Sequence, residues 1–533
     1  MSEIFFLAYD VGTTAVKTCL FRFDSVLKLV ASASQTYPLF VLQNGGAEQN
    51  PEDWWQAMCA STKQVLEESG ISPQVIAGIS FCSQMQGVVL VDREGRAVRP
   101  AMSYMDQRAE QELKEGLKFG LQIAGCNVFR LLKSVLITNA VSASVKDPVW
   151  KYKWVEHNEP EVFSKVYKWL DVKEFLILKC TGRFIMTTDS AFSTMLYDMR
   201  PGKSCFSREM CEMFGVRPEH LPEIIKSTDR VGGLTDDAAC SLGLAAGTPV
   251  FGGGGDASLI GVGAGSVQEG STHIYCGTSG WVSTVVPPKA IVDTGSMIAS
   301  IVGADPGHYN YFAELETAGK CLEWVKDHLA LDEIDIYLDK TQVCDSHEAV
   351  YTSLYDYMTH VVQDIPAGSR GVFFTPWLHG NRCPFEDPHV RGMFFNIGIE
   401  TGKTEMIHAV LEGVCYHLRW MLEAQEKRIK VADTVRFVGG GALSPLSCQI
   451  LADILNRKVE TVANPQNTGA VGAAIITAVG LGILKNLEQA AECIPAVKAY
   501  QPNSANRAAY DAGFRIFKQL YASNKNNYKC INV

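Results

Sequence analysis

The stretch from Pro249 to Trp281, PVFGGGGDASLIGVGAGSVQEGSTHIYCGTSGW, limits the fold more than any other part of the chain. A short apolar run, Pro249 to Phe251, reads as a buried strand, and four glycines, Gly252 to Gly255, separate it from a single carboxylate, Asp256. A small-residue segment, Ala257 to Gly265, follows and is suited to close packing against a sheet. A second strand, Thr272 to Cys276, ends in the turn Gly277-Thr278-Ser279-Gly280. Glycine lets a backbone approach a ligand and adopt positive φ, and successive N–H groups in such turns form anion-binding nests. A carboxylate just beyond a glycine-rich strand end can take a proton from a substrate hydroxyl. Two readings stand here: a phosphate-binding turn beside a catalytic base, or a glycine-rich linker carrying an unrelated acid.

A length of 533 residues exceeds a single hydrophobic core and implies two or more domains. A formal net charge of −10 argues against a nucleic-acid partner and against an anionic membrane surface. The 16 cysteines are scattered and include no CxxC pair, so they read as reduced, mostly buried thiols of a cytoplasmic protein. The start, MSEIFFLAYD, has no basic region and no long apolar core of a signal peptide. No run of about 18 apolar residues occurs, so no membrane span is expected.

The amino terminus is read as a three-stranded meander: residues 4–10, then Ala15 to Phe23, then Leu27 to Tyr37. Its first turn carries Asp10, Gly12, Thr13 and Thr14, with Lys17 close behind. Thr13 and Thr14 offer N–H and O–H donors to phosphate oxygens, Lys17 adds positive charge, and Asp10 suits a hydrated Mg²⁺. An ordinary hairpin is the alternative. Ile274-Tyr275-Cys276-Gly277-Thr278-Ser279 echoes this turn half a chain later, without the acid, which suggests duplicated domains facing one cleft.

Taken together, the two turns and Gly253-Gly254-Gly255-Asp256 resemble the FGGY family of carbohydrate kinases, within the sugar kinase, hexokinase, actin and Hsp70 ATPase fold. Matching motifs run from about residue 4 to about residue 482. The resemblance implies an α/β fold of two RNase-H-like domains around a central cleft. Residues 1–260 would hold the sugar site and first phosphate turn, 261–490 the second turn and adenosine site, and 491–533 a carboxy-terminal extension.

Other segments acquire expected roles through the same resemblance. Ser83-Gln84-Met85-Gln86-Gly87 resembles the Gln-Met-His-Gly of xylulokinases, whose Met-His pair touches the sugar; Gln86 stands in place of the His, so an amide that cannot titrate replaces an imidazole. Tyr104-Met105-Asp106-Gln107-Arg108 resembles a Trp-x-Asp-x-Arg sugar segment, with Tyr104 for Trp, Asp106 accepting from two hydroxyls and Arg108 positioning it. Residues 47–55 read mainly as a helix capped by Asn50 with Pro51 at its first position. Lys151 and Trp154 approximate a Lys-x-x-Trp signature read as helix packing. Val172-Lys173-Glu174-Phe175 departs from the family's Asp-Tyr-Leu, and Thr188 to Ser193 is assigned to structure. Gly319, at the start of a helix, falls where relatives bring backbone to the nucleotide. Arg382 and Arg391 are expected to pair with acids, and His379 has no assigned role. Thr434 to Val438, Gly439 to Gly441, Ser444-Pro445 and the helix that follows form a strand, glycine turn and helix start where adenosine would lie. Thr468 to Gly482 is a small-residue helix beneath it, and the stretch Asn524 to Lys529 reads as polar and frayed.

The expected activity is phosphorylation of a small sugar by ATP with Mg²⁺. Asp256 would be the general base, contacting substrate with Met85, Gln86, Asp106 and Arg108. Gly12, Thr13, Thr14, Lys17, Gly277, Thr278, Ser279, Gly319, Gly440, Gly441, Ser444 and Pro445 would bind ATP, and Asp10 with Asp256 would hold the metal. D-Xylulose is the nearest substrate pattern, with ribulose, gluconate, erythritol and glycerol as alternatives and a non-catalytic ATP-dependent sugar sensor as the competing class. The family also admits a homodimer.

Overall fold

The computed structural model describes residues 3–288, 296–329 and 354–532. Two sheets of the same plan form its frame. In the first, Ile4–Val11, Ala15–Phe23 and Leu27–Thr36 pair antiparallel as a meander. Ile76–Ser83 lies parallel to the first strand, and Pro249–Phe251 parallel to that. In the second, Thr272–Cys276, Gly280–Val286 and Tyr309–Leu315 form the meander, and Thr434–Val438 and Lys458–Val462 add in parallel. The duplication expected from the two turns is therefore present as two sheets with matching strand order, each ending its first hairpin in a Gly-Thr turn.

Both faces of the first sheet are covered. Side chains alternate along a strand, so Phe5, Leu7, Tyr9 and Val11 enter one core with the helix Pro51–Ser69, while Phe6 and Ala8 enter another with Asp256–Gly263 and Thr468–Gly480. A strand buried on both sides has to be apolar throughout, which is why IFFLAYD shows no alternation. Asn50 caps the helix Pro51–Ser69 by accepting from Glu52 N at 3.3 Å, as its sequence leads one to expect.

The small-residue segments after Asp256 and after Asn467 pack on each other. A Cβ on Gly263 would lie 1.8 Å from Thr468 O, and one on Gly472 would lie 2.2 Å from Leu259 O. The two helices thus touch backbone to backbone, and this contact joins the halves of the molecule. The tail differs from its expected form. Ala496–Tyr500 is an edge strand of the second sheet, and Asn524 to Lys529 lie within the helix Arg507–Ile531, whose Phe514 and Phe517 are buried beside Tyr416. Their polar side chains occupy the outward face of an amphipathic helix, a pattern that a short window cannot distinguish from fraying. Among the described residues no helix is long and apolar enough to cross a membrane.

Candidate active site

The first turn is held by its own sheet. Gly12 N donates to Ala15 O at 2.9 Å, and Tyr37 Oη donates to Gly12 O at 2.6 Å. Gln49 Nε2 donates to Thr13 O at 2.8 Å, and Gln84 Nε2 passes a bond on to Gln49 at 2.9 Å. Thr14 is exposed, and Thr13 Oγ1 lies 3.4 Å from Tyr104 Oη. Lys17 Nζ donates to Gln466 O at 2.8 Å, so this ammonium ties the hairpin to the other half. Asp10 lies against Gly469, where a Cβ would come within 3.0 Å of its carboxylate. Burial raises the pKa of Asp10, and Lys17 and Cys82 oppose that rise.

The four glycines before Asp256 do not form a phosphate cradle. All are buried, and each fills a slot that no side chain fits. A Cβ on Gly252 would lie 2.9 Å from Lys226 O, one on Gly253 (φ +67°) 2.2 Å from Phe81 O, and one on Gly254 3.0 Å from Asp189 Oδ2. On Gly255 it would lie 2.0 Å from Met85 Sδ. Close packing, not anion binding, explains the run. Gly254–Gly255 pairs in parallel with Cys82 and Ser83 and delivers Asp256 to the first turn of the helix Asp256–Gly263. Burial pushes the Asp256 carboxyl up to about 7; Ala257 N–H opposes this, and the charges of Asp10, Glu314 and Asp171 add to it.

Met85 and Gln86 sit on a braced turn. Gln86 has φ +64°, outside the region favoured by non-glycine residues. Asp171 Oδ2 accepts from Gln86 N at 3.0 Å, and its Oδ1 accepts from Gly87 N at 2.8 Å. From the other side, the fully buried Lys151 donates to Gln86 O at 2.6 Å and Ser103 O at 2.9 Å. The expectation that Lys151 serves only helix packing is thus corrected: its ammonium fixes both candidate sugar segments. Trp154 packs as expected, against Arg108 at 4.3 Å. The ammonium is irreplaceable by an apolar chain, so Lys151→Met is expected to raise the sugar KM about tenfold and leave the ATP KM within twofold, read by steady-state kinetics.

Asp106 differs from its expected role. It is fully buried, and its carboxylate accepts from Ala47 N at 2.9 Å and from Arg108 Nε at 3.1 Å and Nη2 at 2.7 Å. Arg108 does position it, and Arg108 also reaches Glu48 at 2.6 Å. Asp106 Oδ1 accepts from Arg108 N at 3.1 Å and Nε at 3.2 Å, so both its oxygens are committed to the wall. Tyr104 faces the cleft instead: its hydroxyl meets Thr13, and its pKa is raised by burial and by the nearby charges of Asp256 and Glu314.

The second turn mirrors the first. Gly277 N donates to Ser279 O at 2.9 Å, and Thr278 is exposed. Tyr275 stacks on Trp281 at 4.0 Å and lies near enough to Asp10 and Asp256 for both to raise its pKa, after burial. Gly319 is tied to the second turn. Its N–H donates to Gly277 O at 2.8 Å, and Ala318 and Lys320 N–H both donate to Thr278 O. The start of the helix Gly319–His328 thereby fixes the turn. Beyond it, Gly439 has φ +89°, Gly440 is exposed with open space where a Cβ would lie, and Ser444 Oγ caps the helix Pro445–Leu455 through Ser447 N at 3.2 Å. Arg382 pairs with Glu314 at 2.9 Å as expected, whereas Arg391 bonds to the carbonyls of Pro388 and Val390 and to no acid among the bonds described.

The cleft therefore joins two Gly-Thr turns, a carboxyl of raised proton affinity, a second buried carboxyl and an open glycine turn. Sequence reading gave no site role to Asp171, Asp189, Glu314 or Gln49; Gln49 lay in a segment likened to the family, and Asp189 in the family-like segment Thr188 to Ser193 that was assigned to structure. Residues 5–263 match the FGGY family of carbohydrate kinases, N-terminal domain, and residues 273–481 match the C-terminal domain of that family. The chain is 29% identical to the xylulose kinase of Bacillus subtilis (strain 168) over 521 residues, covering 97% of each chain. Among solved structures, the ligand-bound xylulose kinase from Lactobacillus acidophilus superposes with a TM-score of 0.83 at 24% identity, covering 98% of this chain and 99% of that one. The gluconate kinase from Lactobacillus acidophilus gives 0.82 at 24% identity, covering 99% of each. With both halves matched and the duplicated frame around one cleft, this chain belongs to the FGGY family of carbohydrate kinases.

Proposed function

We propose that this kinase transfers the γ-phosphoryl group of ATP to a hydroxyl of a neutral ketopentose of the D-xylulose type, with Asp256 as general base. The observation that carries the reading is the Asp256 carboxyl, held at the cleft with a pKa of about 7, between two turns that present Thr13, Thr14 and Thr278. A base with that proton affinity is ionised near neutrality and still takes a proton as the acceptor oxygen attacks phosphorus. Phosphoryl transfer then depends on alignment and charge more than on covalent chemistry. The N–H and O–H groups of the two turns would hold phosphate oxygens on either side.

The residues present fit a nucleotide-borne Mg²⁺. No group of three metal-binding side chains occurs among the described residues, but Asp10 and Asp256 form a pair of mutually repelling carboxylates. Mg²⁺ commonly takes one or two carboxylates and completes its shell with phosphate and water. Asp10 and Asp256 would hold it, and it would offset charge developing on the phosphoryl oxygens.

The walls favour a neutral acceptor over a sugar acid. Asp10, Asp171 and Glu314 surround Asp256 with negative charge, while Arg108, Arg382 and Lys151 already serve protein acceptors. Relatives named xylulose kinase support the ketopentose; fold likeness alone does not separate it from gluconate. The Gln86 amide side chain, at the turn where xylulokinases carry His, would bond a sugar hydroxyl without titrating. ADP release measured with Mg-ATP across ketopentoses, aldonates and polyols tests this. The highest kcat/KM is expected on D-xylulose or a close ketopentose. A higher value on gluconate overturns the neutral-acceptor reading, and ATP binding with no turnover on any acceptor overturns the kinase assignment for the site.

The pH dependence follows from the same carboxyl. Its pKa is raised, so the proton-accepting form is populated above about 7 and lost below it. Log kcat/KM is expected to fall by about one per pH unit on the acid side of that value. A profile flat between pH 5.5 and 8 would contradict this.

A further inference from the structure

The glycine run places four residues without side chains directly before the base, and a buried charged cluster holds that backbone from behind. Asp189 Oδ2 accepts from Gly255 N at 2.7 Å, the residue immediately before Asp256. Asp189 Oδ1 accepts from Thr187 Oγ1 at 2.5 Å and from Ser190 N at 3.0 Å. Lys173 donates to Thr187 Oγ1 at 2.7 Å, to Ser190 Oγ and to Glu174. Lys173, Glu174 and Asp189 are 0%, 0% and 1% exposed. These residues come from the helix Val172–Thr181 and from the strand end and short helix at Ile185–Ser193.

We propose that Asp189, braced by Thr187, Ser190 and Lys173, is a positioning residue that sets where Asp256 meets the acceptor hydroxyl. The inference rests on Asp256 being the general base. Burying three charges is a poor way to gain stability, since well-packed apolar residues of like volume often do as well or better. What the cluster supplies is a fixed acceptor for one backbone N–H. Glycine has the widest conformational freedom of any residue, and Gly252 to Gly255 are too closely enclosed to carry side chains that would fix them. Both oxygens of Asp189 are in use, one on Gly255 and one on Thr187 and Ser190. An amide has only one oxygen, so Asn at 189 must leave one side without its acceptor. Asp189 touches neither turn and enters the reaction only through the placement of Asp256; a misplacement of about 1 Å costs up to about 10²-fold in rate.

The test is a kinetic double-mutant cycle in the full-length enzyme. Asp189→Asn is expected to lower kcat by about 10- to 100-fold while the KM values for ATP and sugar stay within about threefold. Thr187→Val, which keeps the side-chain shape and removes a hydroxyl from Asp189, is expected to lower kcat about fivefold in the same pattern. Combined with Asp256→Asn, Asp189→Asn should cost almost nothing further, since its effect passes through the missing base. Normal kcat in both single variants overturns the proposal, as does a loss that multiplies fully with Asp256→Asn. A rise in both KM values at unchanged kcat also overturns it. If Asp256→Asn itself turns over normally, the base assignment fails instead, a distinct result. Should Asp189→Asn not fold, Thr187→Val carries the same readout.

Discussion

Asp256→Asn is expected to fold, to bind ATP with a Kd within about threefold of the parent, and to lose about 10²- to 10⁴-fold in kcat. The substitution keeps the side-chain shape and its contact with Ala257 N, which accounts for the intact fold. It removes acceptance of the hydroxyl proton, together with the carboxylate charge that would help to hold Mg²⁺, and the loss corresponds to about 3 to 5 kcal/mol of transition-state stabilisation. It also removes one of the carboxylates crowding Asp10, whose proton affinity is raised by burial. A small gain in thermal stability is therefore the expected companion, seen as a higher Tm in the absence of nucleotide. Steady-state turnover, nucleotide titration and a melting curve on one preparation decide the matter. Turnover within tenfold of the parent would assign the base elsewhere, and lost ATP binding would make Asp256 a nucleotide or metal residue first.

Sequence reading reached the frame because its signals are local. IFFLAYD, PVF and TVRFV are mainly apolar runs followed at once or within one residue by glycine, and they became strands within one or two residues of the expected limits. The duplicated plan followed from two turns, each placing Gly and Thr at a strand end. The site was legible only where a motif lies within one segment. Asp171 grips Gln86 and Gly87 from 84 and more residues away, and Asp189 grips Gly255 from 66 residues away. No local pattern marks such a carboxylate, because its partners are backbone N–H groups that every residue has.

The glycines show the same limit in reverse. A run of four suggested freedom for a ligand, yet each is required by a near neighbour that only the fold supplies. Asp106 was read as a substrate contact because its spacing to Arg108 fits a motif. The spacing is real, but Ala47, brought in by an antiparallel pairing of Glu48 with Met102, completes its carboxylate and closes it from the cleft. Lys151 was assigned to packing with Trp154 because the two approximate a Lys-x-x-Trp signature; only its complete burial beside two carbonyls reveals the brace.

Gly319→Ala is expected to raise the KM for ATP by about 10- to 100-fold and to leave the sugar affinity and the far-ultraviolet spectrum close to the parent's. The added Cβ would sit 2.4 Å from Gly277 O and 3.2 Å from its carbonyl carbon, both backbone atoms that cannot rotate aside. Either the helix Gly319–His328 or the turn must move. The helix is held by Cys321 and Val325, both fully buried, so the displacement falls on the turn. The turn is the less anchored partner: Thr278 is exposed, and three of its bonds come from the helix start being pushed away. A shift of about 1 Å there misaligns the phosphate donors while the sugar segments around Gln86 and Tyr104, built on strands of the first half of the chain, keep their places. A merely structural role for Gly319 predicts a lower Tm from the same clash, with both KM values unchanged. Measuring both KM values and the Tm of Gly319→Ala separates the two. A raised ATP KM with a constant sugar KM places the second turn on the phosphates; equal rises in both would locate the disturbance in the closure of the two halves.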